Sequence, residues 1–249
     1  MEIISSSERF KRVDGVLKVD HVQGIFRNGT DYYLARWSDR RNLPTDLSVL
    51  DHVQPLDTKR GPRMKHTWTK ASAQDGFYLK TPSLWDYAAG NLEYRMRREI
   101  EMCEFLRKHP HPNVAVYHGC QETNGRATGL FFDRYRATLN ETVNPGSCNK
   151  QDFASGDRKL VTNDMIIALG GLLDGIQHLH SLGIVHNDVN PSNIMFDENG
   201  RLVLIDFDSC RYVGEPILAT GAKRTPGWHE HSVVLSRKMN DLEAFEEVK

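Results

Sequence analysis

Two short segments carry most of the side chains that could do chemistry. One is His186-Asn187-Asp188-Val189-Asn190-Pro191-Ser192-Asn193; the other is Asp206-Phe207-Asp208, which ends the apolar run Leu202-Val203-Leu204-Ile205. Together they hold a histidine, three carboxylates and two candidate asparagine amides. Asp188 and Asn193 lie five apart in a loop containing Pro191. A loop Asp, a nearby Asn amide and an Asp at a strand end can hold a divalent cation and orient a hydroxyl nucleophile. Taken singly, each also fits a structural role, Asp188 and Asn193 as loop caps and Asp206 as the start of a turn.

The elements around these segments must position them. Asn163 or Asp164 caps a helix that runs to about Leu182. Its buried stripe is Ile166, Leu169, Leu172, Leu173, Ile176 and Leu179. Gly170 and Gly171 weaken it by about 1 kcal/mol each relative to Ala, and Gly183 is a natural C-cap. The short run Gly183-Ile184-Val185 then delivers the His186 loop, and a hairpin joins that loop to the strand ending at Asp206. Further on, Asn240-Asp241-Leu242-Glu243-Ala244-Phe245 opens another helix, with Asp241 in its first turn.

Upstream, His66 to Ala71 and Gly76 to Lys80 read as paired strands around the turn Gln74-Asp75-Gly76. Lys80 ends the aromatic and apolar strand Phe77-Tyr78-Leu79. A helix follows from about Leu84 to Arg107, with Leu92, Met96, Ile100, Cys103 and Leu106 forming one apolar stripe. Glu99 shares that stripe, so its carboxylate needs a partner, and Lys80 would supply one. Glu101, on the far side, can pair with Arg97, and Glu99 is preferred over Glu101 and Glu104 as the functional acid. The helix stops before His109-Pro110-His111-Pro112. Val114 to Tyr117 and Ala127 to Phe132 read as two more strands, with a turn at Glu122-Thr123-Asn124-Gly125.

The order and spacing of these residues resemble the protein-kinase signature, in which H-R-D-L-x-x-x-N is followed by D-F-G. The resemblance covers about residues 66 to 249 and is densest between His186 and Asp208. It implies an α+β, bilobal fold. A small antiparallel-sheet N-lobe would span 66–134, and a mainly helical, C-terminally short C-lobe 135–249. Residues 1–65 would be an N-terminal extension. It also implies ATP and Mg²⁺ as cofactors, with Lys80 and Glu99 orienting phosphates, Asp188 as catalytic base and Asn193 and Asp206 as metal ligands. Phe132-Asp133-Arg134-Tyr135 would be the hinge between lobes, and Asp241 the acid that tethers the catalytic loop. The implied reaction is transfer of the γ-phosphoryl of ATP to Ser/Thr hydroxyls of a protein substrate.

The sequence departs from the pattern in several places. Asn187 stands where Arg is usual, so no guanidinium there pairs with an activation-loop phosphate. Asn190 replaces the usual Lys, and Asp208 replaces the Gly after Asp-Phe. Asp208 reads equally as a second metal ligand or as a cap or turn residue. No G-x-G-x-x-G occurs; the corresponding region instead carries the basic residues Lys59, Arg60, Arg63 and Lys65. Asn190 and Asp208 also resemble small-molecule kinases of the aminoglycoside and choline type, whereas Pro191 and Thr225-Pro226-Gly227-Trp228 resemble Ser/Thr kinases. A pseudokinase or nucleotide-binding scaffold is the remaining alternative. The shortened C-lobe would leave apolar surface for a partner to cover.

Composition narrows the rest. Among 249 residues, 39% are apolar and 26% charged, with a net charge of -1, so nothing favours nucleic acid or an anionic membrane. Cys103, Cys120, Cys148 and Cys210 form no C-x-x-C, which argues against a zinc site or a disulfide framework. The N-terminus lacks the regions of a signal peptide, and the expected location is cytoplasmic, with the nucleus open. In the first 65 residues, Val16 to Val19 and Tyr32 to Trp37 read as strands with Asn28-Gly29 as a turn, and a short strand is expected near Leu47 to Val53.

Overall fold

The computed structural model describes residues 1–217, 224–229 and 232–249. The chain forms two compact units. One comprises Met1–Gly61 with Thr81–Glu93, the other Pro62–Lys80 with Tyr94–Lys249. Among the described residues, no helix is long and apolar enough to cross a membrane.

In the first unit, β1 (Glu2–Val13), β2 (Val16–Asn28), β3 (Asp31–Trp37) and β4 (Asp51–Leu56) form an antiparallel meander in that order. Asp14-Gly15 makes the first turn, with φ of 53° and 77°, the left-handed pair that matches strand twist in a two-residue hairpin. Asn28-Gly29 closes the second hairpin, Asn28 facing Asp31. β1 carries Ser5-Ser6-Ser7-Glu8-Arg9 and has no apolar alternation, so the sequence pattern does not announce it. The strand expected near Leu47 to Val53 forms only from Asp51, as β4; Leu47–Val49 is a short turn of helix capped by Asp46, whose carboxylate accepts from the Ser48 N–H at 2.8 Å. Val22, Phe26, Ala35, Trp37 and Leu50 form the core, with Ile3 and Leu47 against it. Gly24 is obligatory there, because a Cβ would lie 2.8 Å from the Trp37 ring. Helix α1 (Leu84–Ala88) starts at a Ser83–Asp86 capping box, and its Trp85 Nε1 donates to Ser5 Oγ at 3.1 Å.

The second unit opens with a three-stranded antiparallel sheet of β5 (Phe77–Lys80), β6 (Tyr117–Thr123) and β7 (Arg126–Asp133), in the order β5-β7-β6. The expected pairing of His66–Ala71 with Gly76–Lys80 does not form. β5 pairs with β7, and Thr69 instead docks on a helix acid, its N–H and hydroxyl donating to Glu104 at 2.6 and 3.1 Å. The single helix expected from Leu84 to Arg107 is two. Gly90, at φ 76°, breaks it, and α2 (Leu92–Leu106) follows, belonging to this unit from Tyr94 onward. Met96, Ile100, Cys103 and Leu106 bury its stripe as expected.

The helical part contains α3 (Leu139–Val143), α4 (Lys150–Ser155), α5 (Asn163–Ser181) and α6 (Lys238–Val248). α4 lies in a stretch that reads as polar loop, and the Asn149 side chain caps it. Thr162 is the N-cap of α5, one or two residues before the expected Asn163 or Asp164. Leu169, Leu172, Ile176 and Leu179 face the core, whereas Ile166 is exposed. Gly171 and Gly175 let Asn113 lie directly on the helix: a Cβ at either would meet it at 2.8 to 3.0 Å. Asn113 in turn donates through Nδ2 to Leu202 O at 2.8 Å. Two ribbons carry the candidate loops, β8 (Ile184–Val185) paired with β11 (Arg211–Tyr212), and β9 (Ile194–Phe196) paired with β10 (Leu202–Leu204). The fold is therefore α+β, an antiparallel-strand sheet followed by a helical portion.

Candidate active site

The loop at His186 is held by one buried carboxylate. Asp241, in the first turn of α6 and fully buried, accepts from the His186 N–H at 2.8 Å and the Asn187 N–H at 2.7 Å. It also meets His180 Nε2 at 2.9 Å. Three partners on one acid leave neither buried carboxylate oxygen without a hydrogen bond. The tether suggested for Asp241 is thus present in the geometry. Asn187 takes φ 65°, which Asn tolerates better than most residues. Its side chain is buried too, with Nδ2 2.9 Å from Ser236 Oγ and Oδ1 accepting from Asn240 at 3.0 Å.

Asp188 and Asn193 come together across the loop. Asn193 Nδ2 donates to both the carbonyl and the carboxylate of Asp188, each at 2.9 Å. The Asp188 carboxylate also accepts from Thr225, through its N–H at 2.7 Å and its hydroxyl at 3.0 Å, and the Asp188 carbonyl accepts from Asn190 Nδ2 at 3.1 Å. Asn190 donates to that same hydroxyl oxygen at 3.0 Å and caps the turn at Ser192. Asn190 therefore serves the loop by hydrogen bonding, with no charge.

Lys80, Glu99 and Asp206 form the second cluster. Lys80 Nζ donates to Glu99 Oε1 at 2.5 Å and to Asp206 Oδ1 at 2.8 Å. Burial opposes the charge on Lys80, but the Glu99 and Asp206 carboxylates outweigh it and hold its pKa well above the ordinary lysine value. Burial likewise opposes ionisation of Asp206, yet Lys80 outweighs it and keeps that carboxyl below its usual value. Glu99 is the more deeply buried acid, and burial wins there, pushing it up to about 7 against the pull of Lys80. Asp206 thus carries the firm negative charge, and Glu99 is the member that takes a proton near neutrality. The other helix acids are engaged elsewhere. Glu101 pairs with Lys65 at 2.5 Å rather than with Arg97, and Glu104 is held by Thr69 and Tyr117.

Lys80, Asn193 and Asp206 line one cavity of about 460 Å³ together with Ala115, Phe132 and Met195, within the usual size for a small-ligand site. Asp133, Arg134 and Tyr135 of the expected hinge line it as well. Among the described residues, no group of three His, Cys, Asp or Glu side chains is placed to hold a metal. Mg²⁺ does not require one, since one or two protein oxygens suffice when phosphates and water complete the shell. Asn193 commits its amide donors to Asp188, so its carbonyl oxygen is the atom suited to a cation. With the Asp206 carboxylate, that donor set fits a magnesium–nucleotide.

Several side chains stand apart from the expectations. Asp208 is a partner of Arg95 at 2.5 Å, with both side chains largely buried, which favours neither a metal role nor a simple turn role. Of the basic residues before β5, Arg60 pairs with Glu93 and Lys65 with Glu101. Arg95 and Asn113 were not legible as site residues, because each partner lies far away in sequence; Thr225 was singled out in its Thr-Pro segment, but its bonds to Asp188 were not.

The cavity with a Lys–Glu–Asp cluster, the tethered Asp–Asn loop and the small antiparallel sheet defines a protein-kinase-like domain. The model of the protein kinase domain family matches residues 79–242, and the chain belongs to that family. Similar curated proteins include serine/threonine-protein kinase Tao of Drosophila melanogaster, 32% identical over 138 residues, covering 55% of this chain and 12% of that protein. Mitogen-activated protein kinase kinase kinase 3 of Arabidopsis thaliana is 28% identical over 129 residues, covering 51% and 19% respectively. The LEAF RUST 10 disease-resistance locus receptor-like protein kinase-like 1.3 of Arabidopsis thaliana is 23% identical over 171 residues, covering 68% and 23%. The chain spans less than a quarter of the length of these relatives.

Proposed function

We propose that the protein transfers the γ-phosphoryl of Mg-ATP to Ser or Thr hydroxyls of a protein substrate. The observation that carries this reading is Lys80 Nζ bridging Glu99 and Asp206 at 2.5 and 2.8 Å on the wall of the cavity that Asn193 also lines. An ammonium so placed, with its carboxylate partners, suits an anionic phosphate chain and its cation. Mg²⁺ supplies charge neutralisation of the phosphates; Asp206 and the Asn193 carbonyl would hold it. Asp188 accepts a hydrogen bond from the Thr225 hydroxyl at 3.0 Å, so its carboxylate is already disposed to receive a hydroxyl proton. A substrate Ser or Thr would present the same group.

The test compares the parent protein with Asp206→Ala and Asp188→Asn for Mg-ATP binding and for phosphate transfer to a mixed peptide library. Asp206→Ala is expected to lose Mg-ATP binding. Asp188→Asn should keep it while kcat falls at least about 100-fold, the usual scale for removing a general base. A parent protein that binds Mg-ATP but phosphorylates no peptide or protein would overturn the reading. It would favour a nucleotide-binding module, for which the motivating observation is that residues 62–76 form no strand beside β5.

A further inference from the structure

Asp208 stands where the kinase pattern has Gly, and the structure gives it a specific partner. Arg95 Nη2 donates to Asp208 Oδ2 at 2.5 Å, and the two side chains are only 12% and 13% exposed. A buried pair of this kind is costly to break on one side alone, because a charge is left behind. Arg95 sits four residues before Glu99 on α2, so the two share a helix face and are spaced for an Arg–Glu contact. That contact would compete with Lys80 for the Glu99 carboxylate.

The backbone beside Asp208 is also fixed. Arg211, almost wholly buried, donates through Nη1 to the carbonyls of Asp208 and Cys210 at 2.8 and 2.6 Å. One turn along α2, Arg98 reaches Glu215 at 2.7 Å. Two arginines of α2 thus grip the segment from Asp208 to Glu215, and Glu99, next to Arg98 in sequence, meets Lys80.

We propose that Asp208 and Arg95 are a matched pair of positioning residues: Asp208 occupies Arg95, anchors α2 and leaves Glu99 to Lys80. The Lys80–Glu99 contact is then set by encoded charge, with no need for a phosphate on the segment. Its consequence for catalysis rests on the phosphotransfer reading above; its consequence for the Lys80 environment does not.

The test uses the full chain and four variants, D208G, D208N, R95A and D208G/R95A, each checked for folding by circular dichroism. The first readout is the rate at which the Lys80 amine is acylated by an acetyl N-hydroxysuccinimide ester, measured by peptide mass spectrometry with exposed Lys18 as internal reference. D208G, although it installs the residue usual in the family, should raise Lys80 labelling about tenfold, a coupling of ordinary size for a charge network. D208N should fall between D208G and the parent. D208G/R95A should return to within about threefold of the parent, because Arg95 is no longer there to draw Glu99 away and Arg98 stays with Glu215. The second readout is Mg-ATP affinity and kcat, expected to fall as labelling rises, lowest in D208G and restored in the double variant. Parental labelling in D208G, even with a lowered melting temperature, would reduce the pair to a merely structural role and overturn the proposal. Labelling in the double variant as high as in D208G would overturn it too. A parent without Mg-ATP affinity would sink the phosphotransfer reading while leaving the labelling result to decide the pair.

Discussion

Asp241 shows how much one side chain can govern. Its two oxygens meet two consecutive loop N–H groups and a histidine, all out of reach of water. Asp241→Asn keeps the shape but turns one acceptor into a donor facing a buried N–H. The expected cost is about 3 kcal/mol, read as a shift in a urea unfolding curve with parental slope. An unchanged midpoint would mean the loop holds itself. At this scale the sequence was most informative where partners sit within one short pattern. Asp188 and Asn193 are bonded across five residues, and Lys80 meets Glu99 as the helical stripe required. Arg95 with Asp208 was invisible as a pair, because 113 residues separate the partners and only Asp208 sits in a motif.

Among the elements, α5 shows why a glycine cannot be judged from propensity alone. Gly170 and Gly171 read alike in the sequence, as two weak points. In the fold Gly170 is exposed with open space around it, whereas Gly171 lies against Asn113. Gly170→Ala should therefore stabilise by up to about 1 kcal/mol, and Gly171→Ala should destabilise by about 2 kcal/mol through overpacking. Thermal unfolding of the two variants side by side checks this, and equal shifts would contradict it. The same limit explains the missed elements. α4 hides in a polar run, β1 lacks alternation, and the break at Gly90 is a backbone feature that the apolar stripe on either side masks. The long helices and the Asn28-Gly29 hairpin were legible because period and turn chemistry agree there.

For the whole molecule, the buried Glu99 sets a pH dependence. Its pKa of about 7 in the fold exceeds the ordinary 4.5, so the folded chain holds this proton more tightly than the unfolded one. The associated stability is fully present below pH 4.5 and is lost as pH rises through about 7. Glu99→Gln removes the titration and should flatten that part of the stability–pH curve. Identical curves for parent and variant would show that Glu99 binds its proton equally well in the folded and the unfolded chain.

The first unit is assembled from two separated stretches, Met1–Gly61 and Thr81–Glu93, so the backbone passes between units three times. Scission of the peptide bond between Gly61 and Pro62 would not by itself free the amino-terminal fragment. That fragment would stay attached by non-covalent complementation, because both stretches belong to one compact unit, joined by the Trp85–Ser5 hydrogen bond and the Arg60–Glu93 ion pair among its contacts. Release would require denaturant as well as a protease.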